Sequence, residues 1–365
     1  MKLALTLLCE NPQRRTGLST LAPAFVAAAL PLYPEVSWIV FVGPGQSWPV
    51  ADARVEVVRR FRANDRPAAR LWADHFRVAA EARRRGARAL LTVGFHPVRS
   101  AGLPVVMHVV SVHHLRQVGI RSAYRRWAVG RGLRRAALVI ANSEWTAAQL
   151  GGRPRRLLVN HEGVDLERFR PDGPAGGPAL PPAYLLWAGN FYPYKRAHLA
   201  LAAYARLPAE RRARFPLLLA GGDWAGGRAR AEGVVARLGL GRDARFLGWV
   251  DDAALPALFR GARAQVMSTA EETFGRTVLE AMASGCPCVL QDLPVLREVT
   301  GGAALFADFA DATAAGAVLD AICTDDALVA RLRAAGLKRA GEFSYARLAR
   351  ERVGAILETL SRQLQ

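Results

Sequence analysis

Residues 169–183 read FRPDGPAGGPALPPA, and eight of these fifteen positions are Pro or Gly. Such a stretch has little to bury and resists both helix and strand, so it reads as a linker. Working outward from it, both flanks show the same rhythm. Upstream, short β-branched and Leu-rich runs at 3–8, 37–42, 55–58, 89–93, 104–112 and 138–141 read as strands. Helical spacing fills 18–30, 67–85 and 122–135. Downstream, strands are expected at 184–188, 217–220, 244–246, 264–267 and 287–290, and helices at 196–206, 229–238, 252–260 and 276–284. Buried strands separated by helices predict parallel sheets with right-handed crossovers. The expected fold class is therefore α/β: two Rossmann-like domains, 1–170 and 184–344, joined by a linker at 171–183, with strand ends facing a central cleft. A last strongly helical run occupies 345–365.

The totals suit this reading. At 365 residues, 51% hydrophobic and 22% charged, the chain can fill more than one core. Its formal net charge is +19, and only Lys2, Lys195 and Lys338 among the basic residues are lysines. A basic surface attracts phosphates, nucleic acids and anionic headgroups. However, no RNP, KH, zinc or helix-turn-helix pattern is present, and the arginines are scattered along helices, which argues against a nucleic-acid binder. The four cysteines, Cys9, Cys286, Cys288 and Cys323, form no metal or disulfide framework, as expected of a reducing cytoplasm. Residues 1–9 imitate a signal peptide but run straight into polar residues with no small-residue cleavage site, so a first strand is expected there. No run of 18 apolar residues suggests a membrane span.

Three stretches of the second half carry chemistry. The first, 269–287, reads TAEETFGRTVLEAMASGCP. Glu272 precedes a helix, Glu280 lies about one and a half turns into it, and Phe274, Gly275 and Arg276 stand at its start. Gly275 permits close backbone approach, and free N–H groups at a helix start suit a diphosphate. A carboxylate accepts two hydrogen bonds and can grip a vicinal diol. An acid-enriched helix terminus is also ordinary helix chemistry. The second stretch, 186–199, reads LWAGNFYPYKRAHL: a strand ends at Gly189 and Asn190, and Lys195 and Arg196 open a helix. Lysine is a flexible point charge suited to phosphate oxygens, although a solvated basic pair is the plainer reading. In the third, LAGGDWAGG at 219–227 and FLGWV at 246–250 place Gly222, Trp249 and Val250 after strands, where a base could lie.

These segments, in order and with matching spacing over 186–299, resemble the second domain of family-4 retaining glycosyltransferases of the B-type, double-Rossmann architecture. The segments ANSEWTAAQL at 141–150 and EGVDLERFRP at 162–171 extend the resemblance more weakly into the first half. The resemblance implies a nucleoside-diphosphate-sugar donor and a hydroxyl acceptor. Position by position, it implies Glu280 on the ribose, Glu272 on the donor sugar, Phe274 and Gly275 as backbone near the diphosphate, and Lys195 as its cation. The family usually has Arg after the glycine at 189, where this chain has Asn190; either Arg196 replaces that charge or the diphosphate is held less tightly. The terminal helix, 345–365, is expected to cross back to the first domain.

In the first half, the resemblance points to the loop of 9–30, CENPQRRTGLSTLAPAFVAAAL, with Arg14, Arg15 and Gly17. It also points to the strand end in 103–117, LPVVMHVVSVHHLRQ, where His113 in preference to His114 faces the reacting sugar. His108, in mid-strand, reads as a core histidine. Lys195, Glu272 and His113 are thus the expected catalytic residues, and Gly17, Gly189, Asn190, Arg196, Gly222, Trp249, Val250, Phe274, Gly275, Arg276 and Glu280 complete the donor site. Retention in this architecture needs no protein nucleophile, and without a D-x-D motif neither metal nor cofactor is expected. The rival within the same architecture is a nucleotide-sugar epimerase. The basic first half and the lack of a span lead to the expectation of a cytoplasmic protein, peripheral on the inner face of a bacterial membrane, with a glycan or lipid-linked acceptor in lipopolysaccharide, capsule or other surface-glycan synthesis.

Overall fold

The computed structural model describes residues 1–11, 17–112, 119–174, 180–223 and 225–363. It divides into two compact units, Met1–Gly163 with Tyr345–Gln365, and Val164–Ser344. Both are α/β, each built on a fully parallel sheet.

The first unit has strands β1 (Lys2–Thr6), β2 (Ser37–Phe41), β3 (Val55–Val58), β4 (Ala87–Val93), β5 (Val105–Val109), β6 (Leu138–Ala141) and β7 (Leu157–Val159), in the order β3-β2-β1-β4-β5-β6-β7. Alternate residues along a strand face opposite sides of the sheet. Leu3 and Leu5 accordingly join Phe25, Val26 and Ala29 of helix α1 (Gly17–Leu32), while Ala4, Ile39 and Phe41 pack on the other face with Val78 and Ala82. The helix expected over 67–85 is in fact two, α2 (Pro67–Phe76) and α3 (Val78–Arg84), because Arg77 leaves helical geometry at φ −122°. Helices α4 (Ile120–Arg135) and α5 (Glu144–Ala148) complete the connections, the latter capped by the Ser143 side chain accepting from Thr146 N–H. The closing helix, Tyr345–Ser361, belongs to this unit. Its Ala349, Val353, Ile356 and Leu360 form one stripe at helical spacing in the cluster that holds α1, and Tyr33 Oη donates to Arg350 O at 2.8 Å.

The second unit has strands β8 (Tyr184–Ala188), β9 (Leu217–Ala220), β10 (Ala244–Gly248), β11 (Ala262–Met267), β12 (Cys288–Gln291) and β13 (Leu305–Ala307), ordered β10-β9-β8-β11-β12-β13. Helices α6 (Ala197–Tyr204), α7 (Ala209–Arg214), α8 (Gly227–Arg237), α9 (Leu255–Gly261), α10 (Arg276–Ala283), α11 (Pro294–Thr300), α12 (Ala312–Thr324) and α13 (Asp326–Ala340) surround it. Leu185, Trp187, Leu217 and Leu219 share one core with Leu201, Tyr204 and Leu319; the alternate Leu186, Leu218 and Leu290 are equally buried. The boundary between units falls upstream of the 171–183 stretch, whose described residues belong to the second unit. The reason is packing that composition conceals. Asp165 Oδ1 accepts from the N–H groups of Glu167 and Arg168, and Phe169 lies against Phe259 at 6.4 Å between ring centroids. Arg260 Nε then donates to Pro174 O.

Candidate active site

In an open parallel sheet, ligands bind outside the carboxyl ends of the strands where the chain reverses its direction of travel across the sheet. In the second unit that point lies between β8 and β11: from β8 the chain builds outward through β9 and β10, then returns to the other side. The loops after β8 and β11 carry Lys195 and Glu272, and they meet. Lys195 Nζ lies 2.6 Å from Glu272 Oε2, with both side chains largely buried. The ammonium also stands 5.5 Å from the centroid of the Tyr194 ring.

The two loops are sewn together through backbone. Ala270 N–H donates to Tyr194 O at 2.7 Å, and Ser268 Oγ donates to Arg196 O at 2.9 Å and to Lys195 O at 3.3 Å. Thr269 Oγ1 donates to Glu271 O at 2.7 Å. Sequence reading passed over Ser268, Thr269 and Tyr194; a short polar pair directly after a buried strand was the available signal. The sewn turn also carries Arg196 in the left-handed region at φ 50°, where it caps α6.

Burial works against the charged form of both partners, and the attraction between them outweighs it. Desolvation alone would raise the Glu272 pKa, yet Lys195 and the N–H groups of Thr273 and Phe274 hold it below the ordinary carboxylate value. Desolvation would lower that of Lys195, yet Glu272 and Tyr194 hold it above the ordinary lysine value. The sign follows for stability. The Glu272 contribution is present above the ordinary carboxylate pKa and is lost as pH falls through its depressed value. The Lys195 contribution is present below the ordinary lysine pKa and is lost as pH rises through its elevated value. The pair therefore stays ionised throughout the range between the ordinary carboxylate and lysine pKa values.

Next to the pair, Gly275 starts α10. Its φ of +97° lies in the left-handed region, and a Cβ there would stand 2.8 Å from Leu296 Cδ2. Phe274 offers only its backbone, since its ring is buried edge-on to Phe343 at 6.0 Å. One turn along, Arg276 Nη2 and Glu280 Oε1 approach to 3.4 Å. On the other side of β8, Asn190 Oδ1 accepts from Gly222 N–H at 3.1 Å, and Phe191 N–H donates to Gly222 O. Asn190, where the family usually has arginine, thus ties the loop after β8 to the loop after β9. Gly221 makes room for this: a Cβ there would fall 1.9 Å from the Gly189 carbonyl oxygen. Trp249 and Val250 follow β10, two strands and about 10 Å from β8, with Trp249 exposed.

In the first unit, Gly17 begins α1 after β1, beside the corresponding reversal between β1 and β4. Arg14, Arg15, His113 and His114 lie outside the described residues. His108 is buried in β5, and burial, with Arg352 second, drives its pKa well below the usual value. Around it, a polar group not foreseen from the sequence is buried at the carboxyl ends of β5 to β7. Arg352 Nε donates to Asn160 Oδ1 at 2.8 Å, and Asn142 Nδ2 donates to Glu162 Oε1 at 3.0 Å and to Val110 O. Burial pushes Arg352 down to about 10 against the opposing pull of Glu162.

Comparison with known proteins completes this geometry. Residues 35–168 match the model of Glycosyltransferase Family 4, and 174–339 match that of Glycosyl transferases group 1. The chain belongs to the family-4 glycosyltransferases of B-type architecture. Among curated relatives of this family-4 chain, O-antigen chain mannosyltransferase B of Escherichia coli is 36% identical over 170 residues, 44% of this chain and 42% of that protein. A D-inositol 3-phosphate glycosyltransferase of Streptomyces scabiei is 34% identical over 233 residues, 58% of this chain and 52% of the relative. The chain thus spans about half the length of the curated relatives it matches. Among solved structures, a sucrose-phosphate synthase from Thermosynechococcus elongatus superposes with a TM-score of 0.78 at 21% identity, covering 100% of this chain and 98% of the other. The Anabaena HepE protein in complex with UDP and glucose gives 0.73 at 19%, covering 99% of each. These two likenesses establish the shared fold.

Proposed function

We propose that this family-4 chain is a retaining, metal-independent glycosyltransferase that moves a sugar from a nucleoside-diphosphate donor to a hydroxyl acceptor. The observation that carries the reading is the Lys195–Glu272 ion pair at the chain reversal of the second unit, beside the glycine that opens α10. The UDP and glucose held by the Anabaena neighbour support a donor of that class. In this reading the ribose diol hydrogen-bonds Glu280, and the sugar hydroxyls meet Glu272. The diphosphate takes the N–H groups at the start of α10 and the charges of Lys195 and Arg196. As the bond from the anomeric carbon to the diphosphate breaks, the leaving oxygen gains charge. A fixed ammonium then stabilises the transition state more than the ground state. The acceptor hydroxyl attacks from the face of departure and passes its proton to the leaving phosphate, which retains the anomeric configuration without a protein nucleophile.

The acceptor is proposed to be a lipid-linked or surface-glycan precursor at the cytoplasmic face of a bacterial membrane. The O-antigen relative and the chain's basic charge support this, and no helix among the described residues is long and apolar enough to cross a membrane. A donor screen by thermal shift tests the reading. UDP-glucose, GDP-mannose and a dTDP-sugar are compared, and one nucleotide class is expected to raise the melting temperature. Anomeric NMR of the product then reports retention. Stabilisation by none of them, or an inverted product, would overturn the proposal.

A further inference from the structure

Between Glu81 and Glu144 the chain contains no Asp or Glu but twelve arginines, so this stretch alone carries twelve of the nineteen net positive charges. Compositional drift toward arginine would not also remove every acid from 62 consecutive positions. The structure gathers part of this charge with exposed apolar groups. Ile120 is 87% exposed, Trp72 53%, Trp127 46% and Phe76 38%. All four lie on α2 and α4, and those helices are fastened together beneath them. His75 Nε2 and Tyr124 Oη are 2.7 Å apart, and the His75 ring stands 5.6 Å from Trp127 and 6.4 Å from Phe76. The platform is edged by cations. Arg77 stacks 5.1 Å from Trp72 and Arg99 lies 6.0 Å from Phe76, while Arg121, Arg125 and Arg126 are exposed on α4 itself. The one acid on these two helices, Asp74, is buried and turned inward to Arg70 and Thr6.

Exposed tryptophans among arginines, with no exposed acid on either helix, match a lipid–water boundary. Indole rings favour the headgroup level, and arginine stems lie along apolar surface while their heads reach phosphate. We infer that the outer face of α2 and α4 is the membrane-docking surface of the first unit, seating Trp72, Phe76, Ile120 and Trp127 at the headgroup level of an anionic leaflet. This rests on the membrane part of the function proposed above and not on its transfer chemistry. A neutral surface, or a groove accepting one apolar helix, would not call for the exposed arginines of α4 beside these apolar groups.

The test is co-sedimentation with two sets of vesicles, phosphatidylcholine alone and equal parts phosphatidylcholine and phosphatidylglycerol, at low and high salt. The wild-type chain is expected to bind only the anionic vesicles and to be released by salt. The double variant Trp72→Ser with Trp127→Ser is expected to lower partitioning by roughly tenfold, because it removes interfacial apolar area. The triple variant Arg121→Gln, Arg125→Gln, Arg126→Gln is expected to lower it by about two orders of magnitude and to flatten the salt dependence. All five positions are exposed, and melting temperature and the thermal shift with the donor verify that both variants keep fold and donor site. Wild-type binding that survives in both variants overturns the assignment of this face while leaving membrane association in place. No binding of the wild type to anionic vesicles at low salt overturns docking itself and assigns the face to a protein partner. Loss of the donor shift with vesicle binding intact would instead count against the transfer reading and support the separate docking face.

Discussion

The two parallel sheets handle charge at their strand ends in different ways. In the second unit, the reversal between β8 and β11 presents an ion pair, Lys195–Glu272, in loops sewn together by backbone hydrogen bonds and fitted with glycines too close for a Cβ. In the first unit, the polar groups at the ends of β5 to β7 are turned inward: Arg352, Asn160, Asn142 and Glu162 are buried as a group that holds the closing helix. Part of the remaining positive charge of that unit lies on the outer face of α2 and α4, two helices that expose no acid of their own. In the proposed function one unit presents charge to a small ligand, while the other buries charge under its closing helix and exposes charge on the proposed docking face. The difference predicts which substitutions unfold the protein and which disable it.

The largest expected effect is on architecture. Arg352→Ala removes a guanidinium that is 4% exposed and leaves the polarity facing it buried. Breaking such an arrangement costs about 3–5 kcal/mol, visible as a large drop in melting temperature. If the variant melts within a degree or two of wild type, the buried group is not structural and the contrast between the units fails. Second is Gly221→Ala, whose methyl would meet the Gly189 carbonyl and whose φ of +148° disfavours a side chain. A loss of roughly 2–4 kcal/mol by urea unfolding is expected, together with weakened donor binding, since the turn after β8 must shift. Wild-type stability there would mean the loops are looser than described.

Third, Lys195→Ala should disable rather than unfold. It leaves Glu272 without its cation, so a modest stability loss is expected. The main effect should be a fall in kcat that exceeds the rise in donor KM, because the leaving diphosphate gains charge in the transition state. A change confined to KM would make Lys195 a binding residue only.

The comparison also marks what could be read from residues alone. The second unit was legible because its strands are apolar runs of four to six residues and its site is written in local pattern, two glutamates flanking a glycine and a helix start. The three-residue strands β7 and β13 were not, since Leu157–Val159 and Leu305–Ala307 are too short to show a period. The break at Arg77 is a matter of one dihedral angle, which apolar spacing does not register. The division between Gly163 and Val164 is not legible in Pro/Gly content, because it follows the packing of Asp165, Arg168 and Phe169. The Arg352 group brings together residues 192 positions apart, and no local pattern announces it.

The central claim, a nucleotide-sugar site at the carboxyl ends of β8 and β11, rests most directly on Glu280, whose proposed role is to accept from the ribose diol. Calorimetric titration of the best donor from the screen into wild type and Glu280→Ala decides it. The variant is expected to fold normally, because the 3.4 Å approach of Glu280 to Arg276 is an i,i+4 pair along one helix, worth about 0.2–0.5 kcal/mol. Its donor affinity should fall about 10- to 150-fold, the loss of hydrogen bonds to a charged group worth about 1.5–3 kcal/mol. A folded variant that binds the donor as tightly as wild type would remove Glu280 from the site and contradict the account.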